Sequence, residues 1–98
     1  MPRHAIRWHA EAVEEAREAR AWYAQRSPGA ADGFIAELDA AIDRVTDNPG
    51  RFGRYLHGTR YTRLGRFPYL LVFRELKDMV QIVAVAHGSR KPGYWRDR

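Results

Sequence analysis

The chain has 98 residues, of which 45% are hydrophobic, so it is long enough for one small core and too short for two. It contains no cysteine, which excludes disulfides, thiolate catalysis and cysteine-based zinc sites and fits a reducing compartment. The net charge of +5 suits an acidic partner, a ribosome or nucleic acid, and it is unevenly spread: residues 51–66 hold five arginines and no acid.

One domain spanning residues 1–98 is therefore expected. No apolar run approaches the ~20 residues that a membrane-spanning helix needs. The N-terminus lacks the basic-then-apolar layout of a signal peptide. The expected location is the cytoplasm, with no membrane contact.

Residues 4–8, "HAIRW", alternate loosely and predict a short first strand. From Ala10 the period changes, and Ala12, Ala16, Ala19 and Tyr23 step along one helix face. Glu11, Glu14 and Glu15 open this helix, while Arg17, Arg20 and Arg26 lie toward its end, an order that complements the helix dipole. Its alanine face calls for a close-packed neighbour.

Ser27 is placed to cap a second helix, and Pro28 stands at its first position, where a missing N–H has no consequence. Ala31, Phe34, Ile35, Leu38, Ile42 and Val45 form its apolar stripe. "DNPG" at 47–50 ends it, because Pro49 disfavours helical geometry at Asn48. Two helices joined by so short a turn predict an antiparallel hairpin.

After a polar loop through His57, "GTRYTRLGR" predicts a polar strand. "YLLVFRE" at 69–75 and "MVQIVAVAH" at 79–87 predict apolar strands joined by the turn "LKD". Short connections favour an antiparallel meander. The expected class is α+β, in the order β-αα-βββ, with an antiparallel sheet covered on one face by the helical hairpin.

The histidines, His4, His9, His57 and His87, show no metal-ligand spacing, so no metal or other cofactor is expected. His87, at a strand end, is expected to act as a local hydrogen-bonding residue. Trp8, Trp22 and Tyr23 are expected to pack rather than to form a stacking platform. The closing "HGSRKPGYWRDR" breaks the strand at Pro92-Gly93. One of Tyr94 and Trp95 is expected to pack back on the sheet, leaving the other free beside a basic rim of Arg90, Arg96 and Arg98.

This order of elements, with "SPGAADGFIAELDAAIDRVTDNPGRFG", "GTRYTRLGRFPYLLVFRE" and "VAVAHGSRKPGYWRDR", resembles the RelE/ParE superfamily of toxins from bacterial type II toxin–antitoxin modules. The pattern H-x-x-R-x-P-x-Y-W-x-x-R from His87 to Arg98 looks closest to the ParE-like branch. The resemblance implies a plasmid-stabilisation type of growth-arresting protein, held as a hetero-oligomer by a cognate antitoxin. For the ParE-like branch it implies a non-catalytic block of DNA gyrase. For the RelE-like branch it implies metal-independent cleavage of mRNA in the ribosome.

Such cleavage needs a base for the 2′-hydroxyl, a cation for the developing charge and an acid for the leaving oxygen. Arg63, Arg90 and Tyr94 are the candidates, with Arg60 and Arg66 able to assist. RelE-like nucleases carry a basic residue just after the aromatic of the third strand, whereas Tyr69 is followed here by Leu70. That departure favours a contact inhibitor over a ribosome-dependent nuclease, with a non-toxic antitoxin-binding relative as a third reading. The expected contact residues for target or antitoxin are Arg60, Arg63, Arg66, His87, Arg90, Tyr94, Trp95, Arg96 and Arg98.

Overall fold

His9 ends the first strand and begins the first helix: its ring accepts a hydrogen bond from the Glu11 N–H at 3.1 Å, satisfying a helix donor that has no partner within the helix. The computed structural model describes residues 4–98, so the first three residues of the expected domain lie outside the described residues. The order is β1 (Ala5–Trp8), α1 (Ala10–Arg26), α2 (Pro28–Asp47), a 3-10 turn (Pro49–Arg51), β2 (Arg54–Tyr55), β3 (Thr59–Arg63), β4 (Tyr69–Leu76) and β5 (Met79–His87).

Ser27 serves both helices. Its N–H donates to the Tyr23 carbonyl at 3.0 Å and closes α1, while its Oγ accepts from the Ala30 N–H at 3.0 Å and opens α2. The buried residues of α2 are Ala31, Phe34, Leu38, Ala41, Val45 and Thr46, with Ile35 and Ile42 half-buried at the margin of the stripe. Ala12 and Ala19 are the buried residues of α1 and join the core beneath the hairpin.

The sheet runs β1-β5-β4-β3-β2. Its last four strands are antiparallel to their neighbours, but β1 pairs with β5 in parallel, so the sheet is mixed rather than wholly antiparallel. The reason lies in β5, buried at Val80 and from Ile82 to Ala86. With β4 on one edge of β5, backbone groups on the other edge still need partners, and β1 pairs with them from Met79 to Ile82. The loop before β3 adds the two-residue β2, turned by His57 and Gly58 at φ of 62° and 73°.

A bulge in β5 sets Ile82 opposite Phe73 and Ala84 opposite Val72, leaving Val83 as the extra residue. Val80, Ile82 and Val85 consequently join Phe34, Leu38, Leu71 and Phe73 in the core beneath the hairpin. Val83, Ala84 and Ala86 join Val72 and Trp95 in a second core on the opposite face. The residues after β5 form a strap of turns over that second face, a cover the hairpin does not provide.

The strap depends on Gly93, whose φ of 87° suits glycine and strains other residues. A Cβ there would also stand 2.9 Å from His57 Nε2 and 3.2 Å from Leu56 Cδ1. Gly93→Ala is therefore expected to destabilise the fold by about 1–3 kcal/mol in urea unfolding. Gly29→Ala, in a helix with nothing within 4 Å of the added Cβ, should instead stabilise it by roughly 0.5–1 kcal/mol. Equal effects of the two would show that the strap does not need the glycine.

Candidate functional site

β1 is shorter than β5. Its pairing ends at Trp8 opposite Ile82, and the His9 N–H closes the ladder on the Ile82 carbonyl at 2.9 Å. Beyond that point the outer edge of β5 has no strand beside it, and unpaired edge groups invite foreign strands.

Two side chains stand in for the missing strand. Glu15 Oε1 accepts from the Val85 N–H at 3.0 Å, and Arg98 Nη1 donates to the Val83 carbonyl at 3.1 Å. Glu15 and Arg98 also bond each other through Nη1–Oε1 at 2.8 Å and Nη2–Oε2 at 3.1 Å. Glu15 Oε2 further accepts from Tyr94 Oη at 2.5 Å and from Arg90 Nη1 at 3.1 Å. One carboxylate, with its side chain only 11% exposed, thus ties α1, the edge of β5 and the strap together. The Tyr94 ring lies between cations, with the Arg90 guanidinium 3.6 Å and that of Arg98 5.1 Å from its centroid.

The electrostatics follow from this packing. Burial pushes the Tyr94 phenol well above its ordinary range, helped by the hydrogen bond and charge of Glu15 and opposed by Arg90 and Arg98. Burial works against the Arg98 charge, but Glu15 outweighs it and holds Arg98 above the usual value. A raised phenol pKa means that above pH 10.0 the unfolded chain releases a proton that the folded chain keeps. The stability contributed by Tyr94 is thus fully present below that pH and is lost as pH rises above it. Thermal melts from about pH 9 to 11 should show a steeper fall for the parent than for Tyr94→Phe. Tyr23 and Tyr69 are raised in the same direction, so the variant should flatten the fall without abolishing it.

The expected contact residues separate into groups. Arg90, Tyr94 and Arg98 meet at Glu15, so Tyr94 is not the free aromatic that the tail pattern implied. Arg98, with a side chain 13% exposed, is a part-buried ion-pair partner rather than part of a solvated rim. Trp95, at 1% exposure, is the packed aromatic, its Nε1 donating to the Leu56 carbonyl at 3.3 Å. Arg60 donates to the Phe52 carbonyl at 2.6 Å and pairs with Glu75 at 3.5 Å. His87 Nδ1 accepts from the Ser89 N–H at 2.9 Å, and its ring stands perpendicular to Tyr69 with centroids 4.9 Å apart. Arg63, Arg66 and Arg96 are exposed. Arg63 makes no hydrogen bond, ion pair or ring contact with Arg90 or Tyr94 among the described residues, so the nuclease trio is not assembled as a contact group.

Trp22 also departs from expectation. It is 48% exposed, and the Arg26 guanidinium stacks 3.6 Å above its ring. Tyr23 does pack, within a ring cluster that includes Phe34, Phe67 and Tyr69. The residue that sequence reasoning missed is Glu15. Its signal was present: it lies three residues after Ala12 and four before Ala19, on the buried face of α1, where a carboxylate needs partners. Among the described residues no group of three or more histidines and acids could hold a metal, and no helix is long and apolar enough to cross a membrane.

A helical hairpin on one face of a five-stranded mixed sheet, with a carboxylate-latched strap on the other, defines a small α+β protein whose conspicuous polar cluster is tied up in holding the fold. The same fold occurs in a solved structure described as the chromosomal ParDE TA system from P. aeruginosa, with a TM-score of 0.74 over 86% of this chain and 95% of that one, at 16% identity. Residues 6–92 match the family described as the ParE toxin of the type II toxin–antitoxin system, parDE, and the chain belongs to that family. It is 27% identical over 88 residues to Toxin ParE2 of Mycobacterium tuberculosis strain CDC 1551 / Oshkosh, covering 89% of this chain and 84% of that protein. Toxin ParE2 of strain ATCC 25618 / H37Rv matches to the same extent.

Proposed function

We propose that this ParE-family toxin arrests growth in the cytoplasm by binding DNA gyrase without chemistry of its own, and that a cognate antitoxin neutralises it in a hetero-oligomer. The observation that carries the non-catalytic reading is the engagement of Glu15 with Arg90, Tyr94 and Arg98. A general base near neutral pH needs a pKa close to the working pH, whereas the Tyr94 phenol is raised and its proton is committed to a carboxylate. Of the guanidiniums considered for the developing charge of a phosphorane, that of Arg90 is engaged with Glu15 and with the Tyr94 ring. Arg63, Arg66 and Arg96 remain exposed for contact with an acidic partner surface.

The test is a supercoiling assay run beside ribosome-dependent mRNA cleavage, each with and without the antitoxin encoded beside the toxin. Gyrase inhibition relieved by antitoxin, with mRNA intact, is the expected result. Tyr94→Phe should retain growth arrest. Loss of growth arrest in that variant with antitoxin affinity and melting temperature unchanged would identify a transition-state role and overturn the contact reading.

A further inference from the structure

Glu15, Glu18, Ala19 and Trp22 repeat along one face of α1. That face borders a cleft of about 380 Å³ whose opposite side is formed by Tyr69 at the start of β4 and by Val85 and His87 near the end of β5. The cleft is strongly aromatic. Trp22 and Tyr23 meet edge-on at 5.0 Å, and Tyr69 lies 6.4 Å from Tyr23 and 4.9 Å from His87.

Its polar groups are mismatched. The latch saturates Glu15, but among the described residues the Glu18 carboxylate and the Tyr23 and Tyr69 hydroxyls have no hydrogen-bond or ion-pair partner. Glu18 nevertheless acts on this space, since its charge adds to burial and Tyr23 in raising the Tyr69 phenol. Arg90 at the margin is paired with Glu15 and stacked on Tyr94, so it does not neutralise Glu18. The cleft therefore offers acceptors and aromatic surface, while the guanidinium that lines it, that of Arg90, is already engaged by Glu15 and Tyr94. A further guanidinium suits both features: it is planar, stacks on aromatic rings and forks onto a carboxylate. The stacking of Arg26 shows that the Trp22 ring already accepts such a group.

We propose that this cleft receives one arginine side chain of a partner polypeptide, with the guanidinium against Trp22 and Tyr69 and paired with Glu18. The inference stands independently of gyrase being the target.

An NMR titration with N-acetyl-arginine N-methylamide tests it. Saturable shifts are expected at the Trp22 indole N–H and at the amides of residues 18–23 and 85–87. The citrulline counterpart, of similar shape but uncharged, should not saturate, and the lysine counterpart should bind more weakly. Glu18→Gln should keep the parent melting temperature, Trp22→Ala should lower it modestly through the lost contacts with Tyr23 and Arg26, and each should weaken binding about tenfold, equivalent to ~1.4 kcal/mol. Equal binding of the citrulline or lysine compound would overturn the assignment, as would undiminished binding in Glu18→Gln or shifts confined to the strap.

Discussion

Trp95→Ala should be the most damaging single substitution in this protein, lowering stability by about 3–5 kcal/mol in urea unfolding. The indole is 1% exposed and packs with Val72, Val83, Ala84 and Ala86 in the core under the strap. Its ring lies 5.4 Å from Tyr55 and 5.3 Å from Tyr94, and its Nε1 holds the Leu56 carbonyl. Truncation removes the apolar burial, leaves a cavity and abandons a main-chain acceptor. For a domain of this size, each 1 kcal/mol moves the melting point by roughly 4–8 °C, so the fall should be plain in a thermal scan. Trp95→Phe should recover much of the loss by refilling the volume. A change within about 0.5 kcal/mol for the alanine variant would mean that the strap contributes little to stability.

Glu15→Ala is expected to be nearly as severe, at about 3 kcal/mol, the low end for breaking a buried ion pair. Arg90 is half exposed and can rehydrate, which moderates the loss. Arg98 cannot do so easily, and the Val85 N–H loses its acceptor at the strand edge. Replacing both ends, Glu15→Ala with Arg98→Met, should lose less than the sum of the two single changes, because no charge is left stranded. The single variant should also exchange its Val85 amide faster and self-associate as concentration rises, since the edge of β5 is then open. Parent-like stability and unchanged exchange at Val85 would remove the latch as a feature of the fold.

Much of this protein was legible in local pattern. The 3.6-residue periodicity of α1 and α2, the cap at Ser27, the stop at Pro49 and the apolar runs of β4 and β5 all act over a few residues, and they identify the hairpin and the meander. The resemblance to the toxin family rested on these same stretches, and the match over residues 6–92 bears it out. The parallel pairing of β1 depended on something that no local pattern carries, namely which edge of the sheet still needed cover. The strap was half legible. Two adjacent aromatics after Pro92-Gly93 announced a packed ring, but only the second core shows that Trp95 fills that place while Tyr94 bonds to α1.

The site divides in the same way. Residue types alone marked Arg90, Tyr94 and Arg98 as a basic and aromatic group. The chain separation of 83 residues between Glu15 and Arg98 hid the fact that one carboxylate meets all three. An acid in the second turn of a helix suits the dipole wherever it points. Whether it is solvated or buried depends on the length of a neighbouring strand, and here β1 stops at Trp8 and leaves β5 open for Glu15 to reach. Sequence periodicity thus determined the elements, and the resemblance of the quoted stretches pointed to the family that the match over residues 6–92 shows. Tertiary packing decided which charges were consumed in closing the sheet and which remained available to a partner, because burial and pairing are set by residues distant in the chain.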